Sequence, residues 1–427
     1  HCFYCFLINM NVKDYIDKIV KDAKKASRLM AVADTSVKNA ALEQMALNLV
    51  NSKEILIAEN EKDLNAAQEA GMSSAMIDRL RLTDSRIEDM AKGIREVVNL
   101  GDPVGEVMEE TVRPNGMEIQ KVRVPIGVII IIYESRPNVT ADAASLCLKT
   151  GNATILRGGK ESIHSNIAIY RQICSALEKT GLDKNAIQVV ETTDRQAVDY
   201  LLKADEYVDL VIPRGGEGLI RNVVENSTIP VIKHYKGVCH VYVDEFANPD
   251  MARGVCLNAK LQRPGTCNAM ETMLVHENIA KTFLPDIFKG MSDSGVELRG
   301  CEKSRKILPE IKQATEEDWS TEYLEKILSV KVVASIDDAI GHISAYGSSH
   351  SDAIITEDKS NAKKFTEEVD SAAVYVNAST RFTDGFEFGM GAEIGISTDK
   401  LHARGPMGLK ELTSYKYIVH GTGQIRK

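Results

Sequence analysis

Apolar side chains recur at helical spacing over residues 11 to 70, which predicts three amphipathic helices. The third of these helices is expected to stop at Gly71, because glycine is typical just after a helix C-terminus. The apolar positions that set the first two helical periods are Val12, Tyr15, Ile16, Ile19, Val20, Ala23, Val37, Leu42, Met45, Ala46 and Leu49.

From about residue 122 the pattern changes to short apolar runs separated by helical stretches. The runs are GVIIIIY (127–133), ATIL (153–156), AIQVVE (186–191) and YVDLVIP (207–213), then HVYVD (240–244), ETMLV (271–275) and VKVVAS (330–335). Strands that alternate with helices predict parallel sheets covered on both faces. We therefore expect an α/β protein with two α/β domains joined near residue 231.

Two further segments have the pattern of peripheral strands. EVMEETVRPNGMEIQKVRV (106–124) alternates polar and apolar residues around Pro-Asn-Gly, which predicts a hairpin. ELTSYKYIVHGTG (411–423) is also strand-like. We expect these segments to form a small sheet that continues across a dimer, so that no strand edge stays open.

Composition narrows the class of protein. The chain has 427 residues, of which 44% are hydrophobic and 26% charged, as in ordinary globular proteins. A net charge of −9 argues against nucleic-acid or anionic-membrane partners, so an anionic substrate would need local arginines. The longest apolar run is about half of the ~20 residues that span a bilayer. Eight scattered cysteines indicate free thiols in a reducing compartment, which predicts a cytoplasmic protein.

The first nine residues, HCFYCFLIN, precede Met10, which opens a good helical pattern, and they make a poor signal peptide. We expect residues 1–9 to be an extension. Cys2 and Cys5 have metal-like spacing, but no second pair follows nearby, so we expect no metal site.

One cysteine stands apart from the others. In LQRPGTCNAMETMLV (261–275), Cys267 follows turn-forming residues and leads into an apolar run. A thiol at such a junction, near backbone N–H groups, can act as a thiolate nucleophile, although a buried structural cysteine is the commoner case. The cysteines expected in the core are Cys147, Cys174, Cys239 and Cys256.

Five motifs carry a resemblance to a known family. They are VPIGVIIIIYESRPNVTADAASLCLKTGNATILRGGKES, VIPRGGEGLI, QRPGTCNAMETMLV, VNASTRFTDGFEFGMGAEIGIST and HARGPMGLKELTSYKY. Together, and in order from Val12 to the C-terminus, they resemble the gamma-glutamyl phosphate reductases of the aldehyde dehydrogenase superfamily. The resemblance implies a Rossmann-like cofactor domain, an α/β catalytic domain and a small β oligomerisation element. It also implies NADPH-dependent reduction of L-glutamyl 5-phosphate to L-glutamate 5-semialdehyde and phosphate, in proline biosynthesis.

The same resemblance assigns a different role to each segment of the chain. Residues 10–105 and 125–231 would bind NADP, residues 232–398 would form the catalytic domain, and residues 106–124 and 399–427 would build the oligomerisation element. It implies a homodimer or larger assembly, and channelling of substrate from glutamate 5-kinase. We expect a stand-alone enzyme, because no kinase domain precedes these residues.

The resemblance assigns Cys267 as the nucleophile and Asn138 as an oxyanion donor through its side-chain amide. From the residues alone, Asn138 could equally be a plain helix N-cap. Hydrolytic aldehyde dehydrogenases carry a glutamate that activates water, whereas IKHYKGVCHVYVD (232–244) has no acid before Asp244. That difference favours a reductase, whose thioester must survive until hydride arrives. A hydrolytic aldehyde dehydrogenase and a degenerate binding protein remain as alternatives.

For the cofactor, the resemblance points to Arg157 and Lys160, which with Ser162 suit the 2′-phosphate of NADP. Gly215 and Gly216, in a turn that opens a helix, could face the pyrophosphate, and Glu322 could hold the nicotinamide ribose. The alternatives are surface solvation for Lys160 and a purely structural turn for the two glycines. The substrate candidates are Arg136, Arg263, Arg381 and Arg404. Any of them could form a structural ion pair instead, and we expect one or two to touch substrate.

Overall fold

The computed structural model describes residues 11–426, apart from the side chain of Ala75. The expected extension at 1–9, with Cys2 and Cys5, lies outside the described residues. The chain forms two compact units. Unit 1 contains the described residues up to Lys233, Met390–Gly395 and those from Met407 onward, and unit 2 contains His234–Gly389 and Ile396–Pro406. The roles that the sequence assigned to the domains remain predictions.

Unit 1 begins with helices, as the apolar spacing predicts. The helices are α1 (Val12–Met30), α2 (Thr35–Asn51), α3 (Lys53–Glu69), α4 (Ser74–Leu80) and α5 (Asp84–Asn99). Helix α1 starts at Asn11, whose side chain accepts a hydrogen bond from the Asp14 amide at 2.8 Å and so satisfies one open donor of the first turn. The predicted end of the third helix is confirmed, since Gly71 has φ +69° just after α3.

A four-stranded parallel sheet forms the centre of unit 1, in the order β5-β4-β3-β6. Its strands are β3 (Val128–Tyr133), β4 (Ala153–Arg157), β5 (Ile187–Val189) and β6 (Leu210–Arg214), connected by α6 (Asn138–Lys149), α7 (Ile163–Thr180) and α8 (Gln196–Leu201), with α9 (Glu217–Asn226) after β6. Every residue of β3 is buried, which is why its sequence is apolar on both faces. The predicted parallel sheet is confirmed.

A separate antiparallel sheet in unit 1 contains β1 (Val107–Val112), β2 (Glu118–Pro125) and β16 (Thr413–His420), in the order β1-β2-β16. The predicted hairpin is confirmed: the Arg113 amide donates to the Met117 carbonyl at 2.8 Å, and Gly116 supplies φ +84° in the turn. The tail strand pairs with β2 within the same chain. The role of this sheet in oligomerisation remains a prediction.

Unit 2 is built on a seven-stranded parallel sheet in the order β10-β9-β11-β8-β7-β12-β13. The strands are β7 (Cys239–Val243), β8 (Met270–His276), β9 (Glu297–Gly300), β10 (Lys312–Gln313), β11 (Ile327–Val333), β12 (Ser351–Ile355) and β13 (Ala373–Val376). The helices are α10 (Pro249–Leu261), α11 (Glu277–Asp293), α12 (Glu302–Ile307), α13 (Ile336–Tyr346) and α14 (Lys359–Glu368); β14 (Ile396–Ser397) and β15 (Gly405–Pro406) form a short pair. Between residues 11 and 426, no helix has the length and apolar character needed to cross a membrane.

Candidate active site

Cys267 lies in the loop between α10 and β8 of unit 2, with its side chain partly exposed. The backbone of this loop is held from several sides. The Cys239 thiol donates to the Cys267 carbonyl at 3.1 Å, and the Thr380 hydroxyl donates to the Asn268 carbonyl at 2.7 Å. The Asn268 amide in turn donates to the Thr383 carbonyl at 2.9 Å. The structure therefore presents an accessible thiol on a fixed backbone, which is what a nucleophile requires.

The other cysteines differ from Cys267 in their surroundings. Cys147, Cys239 and Cys256 are buried as predicted, whereas Cys174 is only partly buried. Burial raises the thiol pKa of Cys147 and of Cys256 to about 12, that of Cys174 to about 11, and that of Cys239 well above its usual value. These thiols stay protonated at neutral pH and are poor nucleophiles.

Two histidines that the sequence analysis did not single out lie beside Cys267. One ligand-forming atom from each of His234, Cys267 and His350 lies within 4.8 Å of the other two. His234 lies within the stretch 232–244, whose lack of a glutamate favours a reductase. The sequence pattern assigns no role to its imidazole. His350 comes from the chain just before β12, and its sequence carries no signal of proximity to the cysteine.

The structure gives different surroundings to three of the four candidate arginines, Arg381, Arg263 and Arg404. Arg381 donates through Nε to the Gln262 side chain at 2.9 Å. Burial lowers the pKa of Arg381, and so does the positive charge of Arg263, whereas the Cys267 thiol raises it. Arg381 therefore interacts electrostatically with both Arg263 and the candidate nucleophile. Arg404 instead forms a hydrogen-bonded ion pair with Asp370 at 2.8 Å, which is the structural alternative foreseen for any of the four.

Arg136 and Asn138 lie in unit 1, in the turn between β3 and α6, and both are exposed. Asn138 is the first residue of α6, and Pro137 occupies the N-cap position, so the plain N-cap interpretation of Asn138 is wrong. The Asn138 amide instead donates to the Asp142 carboxylate at 2.9 Å, one helical turn later. Packing around this carboxyl raises the pKa of Asp142 to about 6.

The predicted cofactor residues of unit 1 follow the carboxyl ends of β4 and β6, on either side of the central strand β3. Lys160 is exposed, and burial lowers the pKa of Arg157. Ser162 is fully buried, and its hydroxyl accepts from the Asn166 amide at 3.1 Å. The hydroxyl of Ser162 is therefore engaged inside unit 1, which leaves the two cations as the groups available to a 2′-phosphate.

Carboxylates already contact two backbone amides at this edge of the sheet. Glu134 accepts from the Gly216 amide at 3.0 Å, where α9 begins, and a Cβ atom added to Gly215 would lie 2.4 Å from the same carboxylate. Glu161 accepts from both the amide and the hydroxyl of Ser135, at 2.7 and 2.8 Å. Ser135 has φ +43°, so Glu161 stabilises a strained turn three residues before Asn138.

Glu322, the remaining cofactor candidate, lies in unit 2 and accepts from the Gly237 amide at 2.9 Å. The backbone of Gly237 packs directly against the carbonyl of Cys267. Glu322 is thus linked through one glycine to the loop of residues 262–269, which carries the candidate nucleophile Cys267 and which we call the nucleophile loop.

Comparison with known proteins decides the family. The model of the aldehyde dehydrogenase family matches residues 8–314. The gamma-glutamyl phosphate reductase of Caldanaerobacter subterraneus is 58% identical over 95% of this chain and 98% of its own length. That of Thermodesulfovibrio yellowstonii is 56% identical over 98% of this chain and 100% of its own. The crystal structure of gamma-glutamyl phosphate reductase from Thermotoga maritima, 50% identical, covers 96% of this chain and 100% of its own with a TM-score of 0.95. The chain belongs to the gamma-glutamyl phosphate reductases, within the aldehyde dehydrogenase family.

The family resemblance and the α/β fold expected from the sequence are therefore confirmed. An acetylating aldehyde dehydrogenase from Geobacillus thermoglucosidasius, 16% identical with a TM-score of 0.71, shows that the fold extends to distant members. In this chain, Asp244, the acid that closes the stretch 232–244, is buried. It accepts from the Tyr242 hydroxyl at 3.0 Å, the Thr356 hydroxyl at 2.6 Å and the Asn361 amide at 2.9 Å. A carboxylate held in this way is not placed to activate water.

Proposed function

We propose that this chain reduces L-glutamyl 5-phosphate to L-glutamate 5-semialdehyde and phosphate, with NADPH, in proline biosynthesis. Its membership of the gamma-glutamyl phosphate reductases, over nearly its full length, supports the reaction. The observation that carries the chemistry is the partly exposed Cys267 thiol on a loop whose backbone is fixed by Cys239, Thr380 and Gly237.

In the proposed mechanism, the Cys267 thiolate attacks the acyl carbon of the substrate. A carbon–sulfur bond forms and the carbon–oxygen bond to phosphate breaks, so the products are a thioester and inorganic phosphate. The bound cofactor supplies hydride. Asn138 donates to the oxygen that becomes negative, together with the backbone amide of the nucleophile. Collapse of the hemithioacetal on Cys267 releases the aldehyde and returns the thiol.

The residues at the carboxyl ends of β4 and β6 fit a dinucleotide with a 2′-phosphate. The Gly216 amide at the start of α9 already donates to an anionic oxygen, that of Glu134, so a pyrophosphate oxygen suits the same position once Glu134 moves away. Arg157 and Lys160 would hold the 2′-phosphate. Glu161, the one nearby acid, accepts from the amide and hydroxyl of Ser135, which directs this carboxylate to the turn after β3. Glu322 would hold the nicotinamide ribose.

Arg381 and Arg263 are the arginines we propose for the substrate phosphate, because Arg381 interacts electrostatically with both Cys267 and Arg263. Arg136, in the turn that carries Asn138, is our candidate for the α-carboxylate.

The assembly we propose is a homodimer or larger, made through the β1-β2-β16 sheet. Strand β16 is an edge strand with a row of exposed side chains on one face: Tyr415 is 49% exposed, Tyr417 61% and Val419 53%. An edge strand with exposed apolar side chains favours pairing with a strand of another chain. Tyr417→Glu is expected to lower the molar mass measured by light scattering, whereas Tyr200→Glu, away from this sheet, should not.

We further propose a cytoplasmic location, in keeping with the six free cysteines of the described part, and channelling of substrate from glutamate 5-kinase.

The experiment that tests the function is phosphate-dependent reduction of NADP⁺ by glutamate semialdehyde. We expect activity in the wild type, loss of at least about 10³-fold in Cys267→Ala, and little change in the control Cys301→Ala. Equal rates with and without phosphate would indicate a hydrolytic aldehyde dehydrogenase instead. Full activity in Cys267→Ala would show that another group is the nucleophile.

A further inference from the structure

The side chains around Cys267 form a set of metal ligands. A thiolate and two imidazoles, from His234 and His350, offer atoms that lie within 4.8 Å of one another, and the two rings meet edge to face with centroids 5.5 Å apart. Thiolate sulfur and imidazole nitrogen are the ligands preferred by Zn²⁺ and chemically similar ions. Small rotations of these side chains would bring all three atoms to one ion.

The ring of His234 is already oriented for this role. Its Nδ1 lies 2.8 Å from the backbone carbonyl oxygen of Ile396. Because a carbonyl can only accept, Nδ1 carries the hydrogen and Nε2 carries the lone pair that a metal ion requires. Metal-bound histidines typically donate their other ring nitrogen to a carbonyl or carboxylate in this way.

The ring of His350 is buried, and its Nδ1 lies 2.8 Å from the hydroxyl of Ser351. That hydroxyl is itself 2.6 Å from the hydroxyl of Thr383, so the ring is held by a short polar chain. The hydroxyl of Ser351 can donate to Nδ1 or accept from it; when it accepts, the lone pair of His350 lies on Nε2.

The neighbouring thiol of Cys239 does not serve as a fourth metal ligand. Cys239 donates its hydrogen to the Cys267 carbonyl at 3.1 Å, and burial raises its pKa well above the usual value. The site therefore offers three protein ligands and leaves one coordination position to water or phosphate. The guanidinium charge of Arg381 acts on Cys267 and opposes the binding of a cation. This arrangement suits reversible binding and not a permanent structural metal.

We propose that Cys267, His234 and His350 form an inhibitory site for a thiophilic divalent cation such as Zn²⁺. On binding, the metal–sulfur bond replaces the sulfur–hydrogen bond and one proton is released, with no change of oxidation state. The metal withdraws electron density from the sulfur, so the bound thiolate is a much weaker nucleophile toward both substrate and alkylating agents. The inhibition rests on the proposed function of Cys267, whereas the binding itself does not.

The test uses Cd²⁺, because its bonds to thiolate absorb in the ultraviolet and those of Zn²⁺ do not. The reduced, full-length protein carries Cys2→Ser and Cys5→Ser, so that this second thiol pair cannot compete. We expect one Cd²⁺ to bind per chain with thiolate charge-transfer absorbance and release of one proton. Cd²⁺ and Zn²⁺ should also slow alkylation of Cys267 by iodoacetamide, measured by peptide mass spectrometry, without slowing that of Cys301. A chelator should restore both alkylation and reductase activity.

Variants test whether Cd²⁺ binding depends on these three ligands in particular. Cys267→Ala should abolish the absorbance, and His234→Ala and His350→Asn should each weaken Cd²⁺ binding at least about tenfold. His164→Ala, an exposed histidine of unit 1, should bind Cd²⁺ like the parent protein. Circular dichroism of the apo proteins identifies any variant that fails to fold.

The outcomes distinguish this inference from the proposed function. If reductase activity depends on Cys267 but Cd²⁺ gives no thiolate absorbance and no protection from alkylation, the metal site is refuted and the function stands. If Cd²⁺ binds as described but the wild type shows no phosphate-dependent reduction of NADP⁺, the function is refuted and the site stands. Unchanged affinity in both histidine variants would also overturn the proposed site.

Discussion

The α-carbon of Gly237 faces the backbone of Cys267 so closely that an added Cβ atom would lie 1.8 Å from the Cys267 carbonyl oxygen and 2.7 Å from its α-carbon. These distances are far below van der Waals contact, and the obstacle is backbone, which cannot rotate away. Any side chain at position 237 must therefore move the nucleophile loop or the start of β7.

We expect Gly237→Ala to lower kcat for phosphate-dependent NADP⁺ reduction by about a hundredfold, because a nucleophile displaced by ~1 Å loses its alignment with substrate. Steady-state kinetics and the rate of Cys267 alkylation measure the effect. The matched control is Gly254→Ala, in the exposed middle of α10, where an added Cβ atom has no neighbour within 4 Å. Equal activity in the two variants would mean that the loop tolerates the shift.

The hydrogen bond from Asn138 to Asp142 predicts a positioning role for the carboxylate. Without it, the Asn138 amide loses its partner one turn along α6 and can rotate away from the oxyanion. We expect Asn138→Ala to lower kcat by about a hundredfold or more, and Asp142→Ala by about tenfold. Asp142→Asn keeps an acceptor oxygen and should retain most of the activity, with KM for NADPH unchanged in all three. A loss in Asp142→Asn as large as in Asp142→Ala would contradict this role.

The elements of the fold were predictable because their signals are local. Strand β3 is buried on both faces and is therefore apolar throughout, and the hairpin turns at a glycine with positive φ. The tendency of Cys267 to lie in a loop could also be read from Pro264 and Gly265 before it.

The neighbours of Cys267 were not predictable, because they come from distant elements. Gly237 precedes β7 and His350 precedes β12, just as Cys267 precedes β8, so the parallel strands bring these three segments to one end of the sheet. Thr380 reaches the loop of Cys267 from the segment that follows β13. Nor does the sequence distinguish Arg381, beside Cys267, from Arg404, which pairs with Asp370, since both stand among glycines and turn formers.

That difference between the arginines gives a third prediction. Arg381→Gln should raise the KM for phosphate in the oxidative direction at least about tenfold, since a charged hydrogen bond to an anion is worth ~1.5–3 kcal/mol. Arg404→Gln removes one exposed ion pair and should leave the KM within about twofold. Initial rates at varied phosphate concentration provide the comparison. The assignment is wrong if the Arg404 variant shows the larger increase.

The buried ion pair of Lys260 and Glu271 gives a prediction about stability. Both side chains are 0% exposed and 2.6 Å apart, and Glu271 also accepts from the Leu324 amide at 3.1 Å. Burial raises the pKa of Glu271 to about 7 and lowers that of Lys260. Lys260→Met leaves a carboxylate buried without its cation and should cost about 3–5 kcal/mol of unfolding free energy. The double variant Lys260→Met/Glu271→Gln should recover most of this loss.

The loss in Lys260→Met should also depend on pH. A carboxyl whose folded pKa is raised binds its proton more tightly in the folded state than in the unfolded chain, so stability falls as pH rises from the unfolded toward the folded pKa. Since the missing ammonium can only raise the pKa of Glu271 further, the deficit relative to wild type should be larger at about pH 8 than at about pH 5. Urea unfolding at both pH values measures it. A deficit that is the same at both, or that the double variant retains in full, would show that lost packing of the lysine stem and not the unpaired carboxylate is responsible.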